Sequence, residues 1–322
     1  MKKYLFFSML LLGLLLSAGC NQDIVCLFLS VGCNQDEQAV KVDLSKKEPV
    51  NLKEPSDAIT YAYLPQYSHT VSYQRHHLLV EYLCKEINLN IKQIFPDSFE
   101  QHMKMVEQDK IDISFSNPFI YVKIAHRYGA RAFVRIVEGN NQERFRGQII
   151  CRADNQQIKT ISDCSGKRWI AVDSSSAGGY LYPLGLFAAH GIKKTDFNEI
   201  SFAPGPGGKQ EGVVLAVHAG KYDIGTIREG TLNVVADKID TSEIRIIAQT
   251  QFYPGWVYAS RAGLDSEIVK KIKTAMLKLD YNLKEHKQIL DAAHFTRLIS
   301  SDDRDFDQVN KLAAMVGISL EE

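Results

Sequence analysis

The stretch Asp173-Ser174-Ser175-Ser176-Ala177-Gly178-Gly179-Tyr180 concentrates the groups in this chain that are best suited to hold an anion. Three adjacent hydroxyls precede two glycines, where a strand-like run, Arg168–Asp173, gives way to a helix-like one. Serine is a good helix N-cap, and the first helical turn carries N–H groups with no intrahelical acceptor and roughly half a positive charge. Hydroxyls and N–H groups together make a cup of donors suited to a tetrahedral oxyanion. Gly178 and Gly179 leave space for close approach, and Pro183 implies a short first turn or a kink before the main helix. A Ser-rich capped turn without a ligand is the alternative these residues leave open.

Pro204-Gly205-Pro206-Gly207-Gly208-Lys209-Gln210 has the outline of a phosphate loop but fails its pattern. Ala203 stands where the first Gly is needed and Gln210 where Ser or Thr is needed, so nucleotide binding is not predicted. The segment reads either as a turn opening a second helix whose N-terminus faces the same cleft, or as a plain surface turn. The sequence contains no G-x-S-x-G elbow, no H-E-x-x-H and no dinucleotide-binding G-x-G-x-x-G after a strand, so no enzyme activity and no cofactor is predicted. His76 and His77 are adjacent, point in different directions on a helix and make a poor metal pair. Arg228-Glu229 follows a strand and is a candidate for the cleft wall, although an acid there also suits a helix dipole without any ligand.

These groups need a scaffold, and the hydrophobic periodicity supplies one. Ile59–Leu64, Asn90–Phe95 and Ile111–Ser116 read as strands, alternating with helices at Tyr73–Ile87 and Ser98–Asp109. Asn117 caps a further helix, Pro118 suits its first position and Gly129 follows its end. Extended stretches at Ala132–Val137 and Arg144–Arg152 lead to a restart of the pattern. It runs through a strand at Arg168–Asp173, a helix ending near Gly191, a strand at Asn198–Ala203, a helix over about 209–219 and a strand at Tyr222–Ile227. Strands at Glu243–Ala248 and Trp256–Arg261 follow, and the remainder reads as helical, with Ile268, Ile272, Met276 and Leu279 at core spacing. Strand-helix alternation implies parallel sheets covered by helices, and hence an α/β fold. If 144–152 and 243–261 are crossovers, the second lobe (151–249) is inserted into the first (58–150 and 250–322). The result is two α/β lobes joined by two extended hinge segments with a ligand cleft between them.

The 322 residues suffice for two such units, and 45% apolar with 24% charged residues is a globular composition. Lys plus Arg equals Asp plus Glu at 38 each, and removal of residues 1–19, which hold Lys2 and Lys3, leaves 36 against 38. That balance argues against a nucleic-acid-binding surface.

The N-terminus reads as an address. Lys2 and Lys3 precede an apolar run, Tyr4–Leu16, that ends in Ser17-Ala18-Gly19-Cys20. This is the order of a secretory signal, and a Cys directly after small residues resembles a bacterial lipobox. The motif recurs as Ser30-Val31-Gly32-Cys33, so Cys20 or Cys33 is the expected lipidated residue, with a signal of 1–19 or extending to 32. Neither apolar run reaches the ~20 residues of a membrane span, and a polar stretch with Pro49 and Pro55 completes a tether over 20–57. The expected location is therefore outside the cytoplasm, anchored to a membrane by lipid. Cys84, Cys151 and Cys164 remain in the body; they cannot all pair, and without any CxxC they predict no metal site.

Asp112-Ile113-Ser114-Phe115-Ser116-Asn117-Pro118-Phe119-Ile120-Tyr121, then Asp173–Pro183, then Gln210–Gly225, with Pro254-Gly255 in the second hinge, are similar to the phosphate/phosphite/phosphonate-binding family of ABC-transporter solute-binding proteins. The similarity spans roughly 59–320. It implies a type II periplasmic-binding-protein fold that closes on an oxyanion and delivers it to a membrane permease. It also implies that Ser174, Ser175 and Ser176 hold phosphorus oxygens, with first-lobe contacts from Ser116 and Tyr121, and from Tyr63 or Tyr67 in the first loop. Gln210 stands where many members have a ligand-binding His, and can donate without becoming cationic. Trp256 stands where amine-binding members place an acid directly after the Pro-Gly. Glu229 lies near the position of another such acid, and Trp256 offers a cation–π face. Arg228 would add charge. A compact oxyanion follows from this set: phosphate, phosphite or a simple phosphonate. An organic acid or sulfonate on the same fold is one alternative, and a ligand-sensing partner of a membrane signalling protein is another.

Overall fold

The computed structural model describes residues 58–205 and 207–321, so the expected signal, Cys20, Cys33 and the whole of the expected tether lie outside the described residues. In chain order the strands and helices are β1 Ile59–Tyr63, α1 His69–Ile87, β2 Ile91–Ile94, α2 Phe99–Glu107, β3 Ile113–Ser116, α3 Pro118–Tyr128 and β4 Arg131–Val137. Next come β5 Arg144–Phe145, β6 Gly147–Arg152, β7 Arg168–Ala171, a π-helical turn Ala177–Leu181, α4 Tyr182–Ala189, β8 Glu199–Phe202, α5 Lys209–His218 and β9 Ile224–Arg228. The chain continues with α6 Thr231–Val234, β10 Ile244–Gln249, β11 Tyr253–Pro254, β12 Val257–Ser260, α7 Ser266–Leu277, α8 Lys284–Ala293, β13 Arg297–Ser300 and α9 Asp307–Met315.

These strands form two main sheets, in the orders β13-β4-β12-β3-β1-β2 and β10-β6-β9-β7-β8. Each has a parallel trio, β2-β1-β3 or β8-β7-β9, followed by an antiparallel strand, β12 or β6, that belongs to a crossover between the lobes. A third, two-stranded ribbon pairs β5 with β11 on the crossovers themselves. The boundary expected at 150/151 falls inside β6, which lies wholly in the second sheet because Gly147–Ile150 pair with Arg228–Gly225.

Local chemistry explains the element ends. Asn117 Oδ1 accepts from the N–H groups of Phe119 and Ile120, Pro118 occupies the first turn where no donor is needed, and Gly129 closes α3 at φ 69°. Ser68 caps α1, so that helix starts four residues ahead of the expected Tyr73. In the second lobe, Ile149, Cys151 and Trp169 face one apolar cluster while Ile150 and Ile170 face another, so both surfaces of the sheet are covered. The chain after 261 is not all helical: Arg297–Ser300 pairs antiparallel with β4. A four-residue edge strand is too short to display a period of two, and its formation is decided by the open edge of β4 rather than by its own residues.

Two histidines are buried in the first lobe. His76 bonds the Tyr61 hydroxyl, and His102 lies 2.7 Å from Ser114 Oγ. Burial holds both near pKa 3, with Arg75 adding to the effect on His76. Each is neutral when folded, yet takes a proton in the unfolded chain below about pH 6.5. Their contribution to stability is therefore present above about 6.5 and is lost as pH falls toward 3, at about 5 kcal/mol each in the acid limit. Urea midpoints measured from pH 7 to 4 should fall, and His102→Gln, which keeps a partner for Ser114, should flatten the decline. Equal slopes for the two proteins would refute the assignment.

Candidate functional site

The Ser-rich turn, the start of α5, the end of β9 and the first-lobe edge meet in one cleft. Ser176, Gln210, Arg228, Asn117, Phe99 and Trp256 are on the wall of an inner cavity of about 20 Å3. That volume admits a water-sized group, such as one ligand oxygen, so a larger ligand would extend beyond it. An outer cavity of about 440 Å3 adjoins it and shares Gln66, Gln210 and Arg228.

The turn is pinned before any ligand is considered. Ser176 caps the π-helical turn, its Oγ accepting from Gly179 N–H at 3.1 Å, so the hydroxyl proton remains to be donated. The Gly179 carbonyl accepts from Val172 N–H and, at 2.6 Å, from Thr226 Oγ1, which itself accepts from Trp169 Nε1 at 2.9 Å. Asp173 organises the approach. Its Oδ1 accepts from Ser175 N–H at 2.9 Å, its carbonyl from Ser176 N–H, and its Oδ2 from Lys209 Nζ at 2.6 Å. Pro183 lies in the first turn of α4, and the π-helical turn ahead of it provides the interruption expected there.

The three serines separate in role. Ser176 is on the inner wall, whereas Ser175 is buried and accepts from Lys123 Nζ at 2.9 Å. Ser174 is exposed and lies outside the lining of both cavities. Gln210 Oε1 accepts from Arg228 N–H at 2.8 Å, which leaves its amide hydrogens as donors. The Arg228 guanidinium reaches across the cleft to pair with Glu138, lies 4.6 Å from the Phe145 ring centroid, and keeps a buried Nε without a partner. Burial is the largest single influence and disfavours its charge, but Glu138, with Tyr67 and Tyr63, together hold it above the ordinary arginine value. Gly178 allows the turn to lie against these groups, since a Cβ there would come within 2.9 Å of the Phe145 ring and 3.3 Å of Arg228 Cβ.

Several first-lobe candidates sit elsewhere. Tyr121 donates its hydroxyl to Asp303, accepts from Ala132 N–H and packs on Phe306; held there, it does not line the cleft. Tyr63 is buried behind Trp256, at 5.8 Å between ring centroids, and burial raises its pKa. Ser116 is buried with an unpartnered Oγ and is not on the lining, while Tyr67 is on the outer wall under the Arg75 guanidinium. Glu229 is also on the outer wall, where its Oε1 accepts from Arg146 Nε and Nη2. In place of Ser116 and Tyr121, the first lobe contributes Gln66, Phe99 and Asn117.

The sequence does not mark Gln66, Phe99, Phe145 or Glu138 as site residues. Lys123 alone carries a usable signal, as a single cation within Phe119–Ala125. No helix among the described residues is long and apolar enough to cross a membrane, and no group of three or more His, Cys, Asp or Glu among them is arranged to hold a metal.

A family model described as the periplasmic substrate-binding protein of a phosphonate ABC transporter matches residues 61–306. The phosphate-import protein PhnD of Mycolicibacterium smegmatis is 24% identical over 241 residues, covering 72% of this chain and 74% of its own. The probable ABC transporter phosphite binding protein PhnD1 of Prochlorococcus marinus is 19% identical, covering 77% and 86%. The structure of PhnD1 from Prochlorococcus marinus in complex with methylphosphonate superposes with a TM-score of 0.70 at 16% identity, covering 80% of this chain and 97% of that one. The strand orders, the paired crossovers and the interlobe cleft are those of a type II periplasmic binding protein. By this architecture and by a family match over most of its length, the chain belongs to the periplasmic phosphonate substrate-binding proteins of ABC transporters, extracytoplasmic binding components rather than enzymes.

Proposed function

We propose that this protein captures a compact phosphorus oxyanion, namely phosphate, phosphite or a simple phosphonate, and presents it to an ABC-transporter permease while anchored by lipid on Cys20 or Cys33. The observation that carries the reading is the convergence of the Ser176 hydroxyl, the Gln210 amide and the starts of the π-helical turn and α5 on one small cavity. Such donors match unprotonated phosphorus oxygens, and closure around them would remove competing water. Trp256 and Phe99 give the cavity apolar walls against which a hydrogen or methyl substituent on phosphorus would pack. The relatives point to the same class by name: one is a phosphate importer, one a phosphite binder, and one structure holds methylphosphonate. An ammonium-bearing ligand is less well served, because Trp256 replaces the expected acid and Glu229 is engaged by Arg146.

The protein, freed of bound ligand by partial unfolding and refolding, would be melted with phosphate, phosphite, methylphosphonate, 2-aminoethylphosphonate, sulfate and a sulfonate. A ligand at ~100 times its dissociation constant adds ~2.7 kcal/mol and should raise Tm by several degrees. Ser176→Ala should weaken the selected ligand by about tenfold to a hundredfold, because a buried ligand oxygen loses its donor. No shift with any phosphorus oxyanion would overturn the reading. The outer cavity of about 440 Å3 favours a second reading, a larger organic anion with its head in the inner cavity, which a shift confined to the sulfonate would support. Labelling with palmitate in Cys20→Ala and Cys33→Ala strains tests the anchor; label retained in the double variant would overturn it.

A further inference from the structure

Lys209, Arg228 and Lys123 approach the Ser-rich turn, and the first two are neutralised, Lys209 by Asp173 and Arg228 by Glu138. Lys123 differs. It is 9% exposed, lies 4.5 Å from the Phe119 ring centroid, and makes its hydrogen bond to the neutral Ser175 Oγ; among the described residues no carboxylate lies within ion-pair distance. A buried ammonium without a counter-charge is costly, so its retention at this position calls for an anion that arrives later.

Its placement is also specific. Lys123 is on α3 of the first lobe and Ser175 is in the turn of the second, so the bond crosses the cleft. Asn117 Nδ2, also at α3, donates to the Ser175 carbonyl at 3.4 Å, giving the turn two first-lobe contacts at one residue. The Ser175 Oγ receives an N–H from Lys123, and no acceptor for its own proton is present among the described residues. A hydroxyl polarised in this way is a stronger donor.

Resting on the oxyanion reading above, we infer that Lys123, which with Ser175 lies behind the cavity wall rather than on it, is a cross-cleft positioning residue that supplies an uncompensated positive charge next to the site and, through Ser175, ties lobe closure to the arrival of an anion. Burial first, and Arg127 second, lower the Lys123 pKa to about 8, while Asp173, itself paired with Lys209, opposes the shift. The other elements packed on α3, namely α2, α9, β12 and the π-helical turn, add no further charge to this balance. Lys123 therefore loses its proton within an accessible range, whereas an arginine would not.

The test measures affinity for the oxyanion selected by the melting panel, by calorimetry from pH 6.5 to 10, in wild type, Lys123→Met, Lys123→Arg and the double variant Lys123→Met/Ser175→Ala. Lys123→Met should bind about tenfold to a hundredfold more weakly at pH 7. Wild-type affinity should fall as pH rises through about 8 relative to Lys123→Met, a comparison that cancels titration of the ligand itself. Lys123→Arg should restore much of the affinity at pH 7 and remove the fall, and adding Ser175→Ala to Lys123→Met should cost little more. Equal affinity and equal pH profile in wild type and Lys123→Met would overturn the inference while leaving the oxyanion reading intact. A wild type that binds no phosphorus oxyanion would overturn both. Should the variants fail to fold, the wild-type profile still decides: with ligand titration measured separately, no residual loss of affinity above pH 8 refutes the role.

Discussion

Arg228→Met is expected to weaken oxyanion binding by at least about a hundredfold and to destabilise the unliganded protein by roughly 3 kcal/mol. The two losses have separate causes. The guanidinium is on the inner wall with one buried nitrogen unpartnered, so its removal takes away a charged donor at the edge of the ligand volume. The same removal leaves Glu138 without its partner across the cleft, where its side chain is 30% exposed. A carboxylate stranded there both opposes closure and repels an incoming anion. The double variant Glu138→Gln/Arg228→Met separates the terms: it should recover most of the urea midpoint but little of the affinity. If Arg228→Met binds with wild-type affinity, Arg228 is only a strut between the lobes.

A second large effect is expected from a residue that touches no ligand. In Gly147→Ala the new Cβ would lie 2.4 Å from the Gly178 carbonyl oxygen and 2.9 Å from Pro183 Cδ. The first of these is backbone, so no side-chain rotation relieves the overlap. Gly147 is itself held, donating its N–H to Thr250 Oγ1 at 3.0 Å and accepting from Thr250 N–H, and it pairs with Arg228 in the sheet. The π-helical turn must therefore move, which displaces Ser176 from the cavity. About 3 kcal/mol of stability should be lost, with binding reduced well beyond what that destabilisation explains. Urea unfolding and calorimetry would measure both. An alanine variant with native stability and affinity would show that the turn adapts freely and that its position does not set the site.

Much of the scaffold is legible in local residues. Asn117-Pro118 at one end of α3 and Gly129 at the other are sufficient to place that helix, because a capping side chain, a missing donor and a left-handed residue each act on their immediate neighbours. The Ser-rich turn is legible for the same reason, and Pro183 announces its interruption. β13 is not, since an edge strand depends on a neighbour distant in sequence, and Arg297–Ser300 meets β4 across about 160 residues. Tyr121 shows the limit at the site. A tyrosine near the N-terminus of α3 suits the resemblance, but Asp303, far along the chain, takes its hydroxyl.

The sequence by itself determined the alternation of strands and helices, the two-lobed plan, the donor-rich turn at Ser174–Gly179 and the family to which these belong. Each of these rests on side chains acting within a few residues of themselves or on a pattern repeated along the chain. Only the tertiary structure decided which serine is on the cavity wall, which cations are already neutralised and which residues of the first lobe complete the cleft. Those outcomes depend on pairs such as Lys123 with Ser175 and Arg228 with Glu138, brought together by the packing of one lobe against the other, and no local rule encodes a contact between residues 52 or 90 positions apart.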